Sequence, residues 1–183
     1  MRNLVLSIAI IAIAKFCVGQ SNEVYQIATF VKNVEATKEE NKVAMFNGKK
    51  VNDETEQDYR YNGFKTNENN GQVGFTQDPK RYVSENTNII TGFYKNGNLV
   101  AIQVTQLIGE TAAGKSTISF YSNGQPLGVY HHVTDINGQT ETVFEDANDL
   151  GEGEIKQGEQ IGKMLQALYD YYLTDKYMPD DLK

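Results

Sequence analysis

This chain contains six Asn-Gly dipeptides, and they constrain its fold more than any other feature of the sequence. They begin at Asn47, Asn62, Asn70, Asn96, Asn123 and Asn137. A type I′ turn needs positive φ at both central residues, so Asn-Gly between alternating apolar residues is the strongest short-range hairpin signal. Three of the dipeptides lie in residues 89–146, which are rich in β-branched and aromatic residues. The sequence predicts an antiparallel β-meander there.

Two-residue turns at these three sites predict definite cross-strand pairs. At Asn96-Gly97 the pairs are Phe93 with Val100 and Thr91 with Ile102; at Asn123-Gly124, Phe120 with Leu127 and Ile118 with Val129; at Asn137-Gly138, Val133 with Thr142 and His131 with Phe144. Apolar residues repeatedly face apolar residues in this register. The turn chemistry and the period-2 pattern therefore agree on the meander.

The segments that flank the meander have different patterns. Residues from about 154 to about 178 carry an apolar stripe at steps of three and four, which predicts a C-terminal helix packed across the sheet. Similar steps in residues 20–42 indicate a helix, or a strand followed by a helical turn. Residues 49–88 are strongly polar, and we expect a long loop or weakly paired hairpins. The expected fold class is α+β, in a single domain over residues 20–183.

Residues 1–19 have the pattern of a secretory signal peptide. Arg2 precedes an apolar run from position 4 to 14, and small residues lead to Gly19. The run is shorter than the roughly 20 residues that span a bilayer, so cleavage before Gln20 is favoured over a retained anchor. A secreted or periplasmic protein with no stable membrane insertion is expected.

Cleavage would change the composition of the mature protein. It would remove Cys17, the only cysteine, and two of the 17 basic residues. The remaining 15 basic and 24 acidic residues give the mature chain a formal charge of −9. The mature chain would then have no disulfide and no thiol nucleophile. Its acidity disfavours nucleic acid as a partner, because a polyanion is repelled.

A short sequence recurs within the meander. Residues 91–97 reappear as residues 118–124, 27 positions later, with Phe-Tyr-x-Asn-Gly and a following apolar strand in common. This pattern resembles hairpin repeats of the MORN-variant type, which occur in bacterial envelope proteins and in YwqK-like antitoxins. The resemblance implies a β-meander scaffold and does not imply a particular activity.

Residues 109–116 match the complete phosphate-binding P-loop pattern, with Gly109, Gly114, Lys115 and Ser116 at the defining positions. In a P-loop, backbone N–H groups cradle the phosphates, the lysine reaches the β/γ phosphates and the serine binds Mg²⁺. In a P-loop protein this loop leads directly into the N-terminus of a helix. Here β-branched and aromatic residues with period 2 follow Lys115. Nucleotide binding is therefore disfavoured, and residues 109–115 are predicted to be a hairpin loop between strands 99–108 and 116–121.

His131 and His132 are the only imidazoles, and adjacent strand residues point to opposite faces of a sheet. They cannot both ligate one metal ion, so we expect no metal site, no catalytic histidine pair and no cofactor. His131 is expected to be half-buried with Leu127, Val129 and Val133, and His132 to lie beside Tyr130. The polar group Glu145, Asp146, Asn148 and Asp149 lacks the spacing of a calcium loop, which favours a solvated turn.

The sequence favours an exported, non-enzymatic binding or accessory protein that recognises a protein or a surface glycan. Tyr94, Tyr121, Tyr130 and His132 are the candidates for a contact surface on the non-core strand face, because tyrosine buries area with little entropy loss. The alternative is that these tyrosines pack under the C-terminal helix. A secreted hydrolase with paired carboxylates and a small-ligand carrier are the rival functions.

Overall fold

The computed structural model describes residues 22–52, 57–79, 87–107 and 113–174. For residues 50–52, 57–58, 77–79 and 87 it describes the backbone alone. The predicted signal segment, the last residues of the predicted C-terminal helix and residues 109–112 of the P-loop match lie outside these ranges.

Eight antiparallel strands form one sheet, in which the spatial order is the order along the chain. The strands are β1 (Ala44–Asn52), β2 (Gln57–Lys65), β3 (Gly71–Pro79), β4 (Thr87–Lys95), β5 (Asn98–Leu107), β6 (Gly114–Ser122), β7 (Gln125–Thr134) and β8 (Thr140–Asp146). The predicted α+β meander is confirmed. Over residues 49–88 the expected long loop is wrong, because the segment contains the end of β1 and all of β2 and β3. The alternative, hairpins, is present, and the β1–β2 and β2–β3 ladders are each paired over nine positions.

Two helices, α1 (Asn22–Glu35) and α2 (Glu152–Thr174), lie on opposite faces of the sheet. Successive strand residues alternate between faces, and on β5 Ala101 packs in the cluster with α1 while Ile102 packs in the cluster with α2. The sheet is therefore the middle layer of three. The helix that the sequence indicated in residues 20–42 is α1, and the predicted C-terminal helix is α2.

Each helix buries one stripe of side chains against its own half of the core. On the α1 face the buried residues are Val24, Ile27, Ala28, Val31, Val34, Phe64, Phe93, Ala101, Ile118, Phe120 and Tyr130. On the α2 face they are Val73, Tyr94, Ile102, Leu165, Leu168, Tyr169 and Leu173. Burial of each large apolar side chain contributes about 1.5–3 kcal/mol, so these two stripes fix both helices. Among the described residues, no helix is long and apolar enough to cross a membrane.

The turns at Asn96-Gly97 and Asn123-Gly124 have the predicted two-residue geometry. Their φ angles are 53° and 80° at the first turn and 50° and 79° at the second. Asparagine tolerates the left-handed region because its short polar side chain bonds locally, and glycine because it has no Cβ. The turn chemistry read from the sequence is therefore correct at both sites.

Both hairpins then contain a β-bulge that shifts the predicted register by one residue. The extra residues are Val100 in β5 and Leu127 in β7, which have no cross-strand partner in these ladders. The observed pairs are Phe93 with Ala101, Thr91 with Gln103, Phe120 with Gly128 and Ile118 with Tyr130. The four pairs predicted for these hairpins are wrong, because a bulge sets two residues of one strand against one of the other.

The third predicted turn, at Asn137-Gly138, is longer than two residues. Thr134 pairs with Thr140, so five residues connect β7 to β8. The Asp135 carboxylate accepts backbone N–H groups from Asn137 and Gln139, at 2.9 and 2.8 Å, which closes the longer turn. The observed pairs are Val133 with Glu141 and His131 with Val143, which corrects the predicted pairs there.

Candidate functional site

A cavity of about 400 Å³, called here the turn-end cavity, opens where the Asn96-Gly97 and Asn123-Gly124 turns lie. The residues that line it are Glu23, Gln26 and Ile27 of α1, Lys95, Asn96, Asn98, Leu99 and Val100 around the first turn, Tyr121, Ser122, Asn123 and Gly124 around the second, and Gln166 of α2. This volume falls within the range of small-molecule sites, roughly 300–1,000 Å³.

The meander itself brings these elements together. Neighbouring strands run in opposite directions, so the β4–β5 and β6–β7 turns both lie at the same end of the sheet. The helix α1 begins at this end, where the Ser122 hydroxyl donates a hydrogen bond of 2.5 Å to the Glu23 carboxylate. The middle of α2 closes the other side with Gln166. The two Phe-Tyr-x-Asn-Gly copies therefore contribute adjacent turns to one cavity.

Carboxamides dominate the polar lining of the turn-end cavity. They belong to Gln26, Asn96, Asn98, Asn123 and Gln166. Each carboxamide carries both a donor and an acceptor, so it can bond groups of either kind.

The charged groups of the lining are one acid and one base, Glu23 and Lys95. The carboxylate of Glu23 already accepts the Ser122 hydroxyl. The Lys95 ammonium lies 5.7 Å from the centre of the Phe30 ring. The cavity therefore has no net formal charge, and it is suited to a neutral ligand.

Tyr121 contributes an aromatic side chain to the lining. Burial raises the pKa of Tyr121; the hydrogen bond with Ser119 lowers it and the nearby Glu159 carboxylate raises it further. The phenol therefore stays protonated at neutral pH. Gly158 of α2 packs on this hydroxyl, and a Cβ there would come within 2.5 Å of it. The glycine thus allows α2 to approach β6 closely.

The proposed contact surface of Tyr94, Tyr121, Tyr130 and His132 is not one surface. Tyr94 and Tyr121 pack on the α2 face, whereas Tyr130 packs with α1 on the other face. Tyr94, Tyr130 and His132 are at most 2 % exposed, so the folded protein does not present them to a partner.

The bulge at Leu127 explains why Tyr130 does not share a face with Tyr121. Without it, Tyr130 would pair with Thr117 and share the face of Tyr121; with it, Tyr130 pairs with Ile118. The alternative reading, in which tyrosines pack under the C-terminal helix, holds for Tyr94 and Tyr121. Tyr94 stacks on Tyr169 of α2 with ring centres 4.1 Å apart.

The described part of the P-loop match, Gly114 to Ser116, belongs to strand β6. Lys115 is exposed and Ser116 is buried, as expected for strand neighbours that point to opposite faces. The Ser116 hydroxyl accepts a hydrogen bond of 3.1 Å from the Gln103 amide and lies 3.1 Å from the Thr105 hydroxyl. These two side chains therefore cannot hold the phosphates and the Mg²⁺ of one nucleotide. The predicted hairpin is present, with Leu107 paired to Gly114.

The two histidines lie on opposite faces, as the sequence predicted. His131 is half-buried, and its Nε2 lies 3.3 Å from the Glu145 carboxylate. The expected neighbour Leu127 is on the other face, where it packs with the α1 cluster, because of the bulge. The described residues include no group of three or more His, Cys, Asp or Glu side chains placed to hold a metal ion.

The acidic segment after β8 forms a capped turn. The Asp146 carboxylate accepts the backbone N–H of Asn148 at 3.1 Å and so caps the short 3-10 helix Ala147–Asp149. This is the local hydrogen bonding that aspartate commonly provides at a helix start.

No protein-family model matches this chain, and no curated protein or solved structure does so either. The turn-end cavity was not predicted from the sequence; the recurring Phe-Tyr-x-Asn-Gly pattern is the one signal in the sequence that marks both turns of its lining. Its other amides come from Gln26 and Gln166, which stand far apart in the chain, and only the packing of both helices brings them to the turns.

Proposed function

We propose that this chain is an exported binding protein whose turn-end cavity holds a neutral glycan. The observation that carries the proposal is the lining of five carboxamides around about 400 Å³. A sugar hydroxyl both donates and accepts hydrogen bonds, and a carboxamide offers the matching pair of groups. The Tyr121 side chain adds a partly buried aromatic ring to the same lining.

The balance of charge and polarity supports a neutral ligand over other small molecules. An anionic ligand would need several cations, whereas Lys95 is matched by Glu23 in the lining. The Gln26 and Gln166 amides each already donate one hydrogen bond, to Asn22 and Asp170. An apolar ligand would shield the remaining amide groups from water without bonding them, which costs about 1–3 kcal/mol for each group left unsatisfied.

Binding is favoured over hydrolysis by the carboxylates of the lining. Glycoside hydrolysis generally uses two carboxyl groups that flank the scissile bond. Among the described residues that line the cavity, Glu23 is the single carboxylate.

Titration of the full-length mature protein with maltose, cellobiose and chitobiose by calorimetry tests the proposal. Gln26→Ala and Asn98→Ala each remove one carboxamide without touching the positive-φ turn residues. We expect each to weaken binding about five-fold, since a hydrogen bond contributes about 1 kcal/mol. Asn33→Ala and Gln160→Ala, at exposed helix positions outside the lining, are the matched controls. Absence of binding by all three sugars, or equal binding by all four variants, would refute the proposal.

We also propose that the two hairpins are copies of one MORN-variant-like repeat. The turn φ angles agree within 3° between the copies, and the bulge follows the Phe residue in both. Shared turn and bulge geometry is what a repeated hairpin would produce. The resemblance supports an envelope scaffold, and the cavity supplies the binding activity that the scaffold alone does not imply.

A further inference from the structure

The sheet ends in two edge strands, β1 on one side and β8 on the other. Within the residues that the structure describes, β1 pairs with β2 alone and β8 with β7 alone. An edge strand presents backbone N–H and C=O groups with which a further strand can pair. The two long helices lie over the faces of the sheet, and the short 3-10 helix Ala147–Asp149 packs on β7. In the described part of the chain both edges are therefore open, and we call them the β1 edge and the β8 edge.

The two edge strands carry opposite formal charge. β1 contains Lys49 and Lys50 and no acidic residue. β8 contains Glu141, Glu145 and Asp146 and no basic residue. Two β8 edges repel one another, since a β8–β8 pair centred on position 143 sets Glu141 opposite Glu145. Two β1 edges repel in the same way, whereas a β1 edge and a β8 edge attract.

The exposed large apolar side chains of the described residues also concentrate at these edges. Tyr25 of α1 is the exception. Tyr172, near the end of α2, belongs to the β1 edge, because its ring stacks on Phe46 of β1 with ring centres 4.3 Å apart. The β1 edge has Val43, Met45, Tyr171 and Tyr172, and the β8 edge has Val133, Ile136 and Val143. Apolar groups gathered in this way are typical of a protein–protein contact.

The direction of the strands allows the two edges to pair with each other. Neighbouring strands are antiparallel throughout the eight-stranded sheet, so β1 and β8 run in opposite directions. A second copy in the same orientation, with its β1 beside β8, therefore continues the antiparallel alternation. The α1 face then continues as the α1 face of the next copy, and the α2 face as its α2 face.

One register of this pairing sets apolar residues opposite each other on both faces. Val143 and Phe46 belong to the α2 face, and Phe144 and Met45 to the α1 face. When Val143 is opposite Phe46, Phe144 is opposite Met45. Glu141 then lies opposite position 48, next to the two lysines of β1. Cross-strand apolar pairs and opposite charges are the contacts that stabilise a ladder.

We propose that the β1 edge of one molecule pairs with the β8 edge of a second copy of this chain, so that the sheet continues from molecule to molecule. The two surfaces in contact differ, so the interface is heterologous, and each dimer keeps one unpaired edge strand of either kind. Growth therefore gives linear oligomers. The turn-end cavity is lined by α1, α2 and the middle strands, so edge pairing leaves it open in every copy. The pairing does not depend on glycan binding.

Sedimentation velocity of the mature protein, from micromolar to millimolar concentration, tests the proposal. We expect the mean mass to rise with concentration beyond that of a dimer, because a heterologous interface of this kind does not close. We expect the dissociation constant to increase about ten-fold from low to high salt, since the attracting charges are exposed. A chain that stays monomeric over the whole range, or that stops at a dimer, overturns the proposal.

Two charge-reversed variants identify the edges. Lys49→Glu with Lys50→Glu makes the β1 edge acidic, and Glu141→Lys with Glu145→Lys makes the β8 edge basic. Both edges of each variant then carry charge of the same sign. We expect each variant alone to stay monomeric at concentrations at which the wild type associates. An equimolar mixture brings opposite charges together at every contact between the two variants, and it should associate again.

The matched control makes the same charge change away from the edges. Lys32→Glu with Lys156→Glu alters exposed positions on the two helices and should associate as the wild type does. If the mixture of edge variants stays monomeric, or if the helix control also loses association, edge pairing is overturned. Circular dichroism and the Tm check that each variant is folded, and the wild-type sedimentation decides the matter if one is not.

Discussion

Gly128 occupies a backbone position that other residues cannot adopt without strain. Its φ is +149°, and a Cβ there would lie 2.5 Å from the Phe144 ring and 2.7 Å from the Glu145 carbonyl oxygen. The residue follows the bulged Leu127, so it helps to set the register of β6 and β7.

We expect Gly128→Ala to lower the free energy of unfolding by about 2–3 kcal/mol, because strain and overlap add at this position. Urea denaturation measures the change. Gly153→Ala is the control, since a Cβ at that exposed helical position meets nothing within 4 Å. It should stabilise the protein by about 0.5–1 kcal/mol. Equal effects of the two substitutions would contradict this account of the bulge.

Glu35, at the end of α1, makes stability depend on pH. Burial raises its pKa from 4.5 to about 7. The folded state therefore holds more protons than the unfolded state between these values, and this residue's contribution to stability falls as pH rises from about 4.5 to about 7. We expect Glu35→Gln to reduce this fall in denaturation curves recorded from pH 4.5 to 8. Glu40→Gln, at an exposed position, should leave the slope as it is.

At the scale of elements, one tyrosine joins α2 to two hairpin turns. The Tyr169 hydroxyl donates a hydrogen bond of 3.1 Å to the Asn69 carbonyl, which also accepts the Gly97 N–H at 2.8 Å. The Tyr169 ring meanwhile stacks on Tyr94 of β4. The helix is thus fixed to the β2–β3 and β4–β5 connections as well as to the sheet.

We expect Tyr169→Phe to reduce the free energy of unfolding by about 1 kcal/mol, the contribution of one hydrogen bond. The ring stack is kept in this variant, so the loss isolates the hydroxyl. Tyr171→Phe makes the same chemical change at a residue that is 43 % exposed, and it should alter stability by less than about 0.5 kcal/mol. Similar losses in the two variants by guanidinium denaturation would argue against this role of the hydroxyl.

The elements differ in how far the sequence could predict them. The type I′ turns at Asn96-Gly97 and Asn123-Gly124 follow from local chemistry, because only a few residues accept positive φ. The bulges at Val100 and Leu127 do not, since an extra residue is tolerated only when neighbouring strands and helices pack around it. One bulge was enough to move Tyr130 to the face opposite Tyr121, and α2 covers Tyr94, so the predicted contact surface is absent.

The polar segment of residues 49–88 shows a different limit. Its strands carry few apolar residues, so the alternation that marks a half-buried strand is weak. Val73 and Phe64 are nonetheless buried, on opposite faces of the sheet. Pairing with the strongly β-forming strands next to them, and cover from two helices, decides the conformation of this segment. The turn-end cavity likewise depends on residues that are distant in sequence.

For the whole molecule, the expected export gives a prediction about its mature form. We expect protein recovered from the cell envelope or medium to begin at Gln20, because small residues precede that position after an apolar run. Intact-mass measurement should show the loss of residues 1–19. Recovery of the uncleaved chain from membranes would instead favour a retained anchor. Replacement of Gly19 by Arg, which blocks a small-residue cleavage site, is the matched control and should leave the chain uncleaved.

The purely sequential order of the eight strands has a consequence for the way the chain is made. Each strand pairs with the strand that precedes it in the chain, so the sheet can form strand by strand as the polypeptide is synthesised. The connecting loops are short, so closing each of them costs little conformational entropy. The α2 layer is different, because its helix packs on β1 to β5 and is synthesised after all eight strands. A chain that stops before residue 152 would present a bare apolar sheet face. Synthesis of α2 is therefore the step that covers this apolar face, and exposed apolar faces promote aggregation.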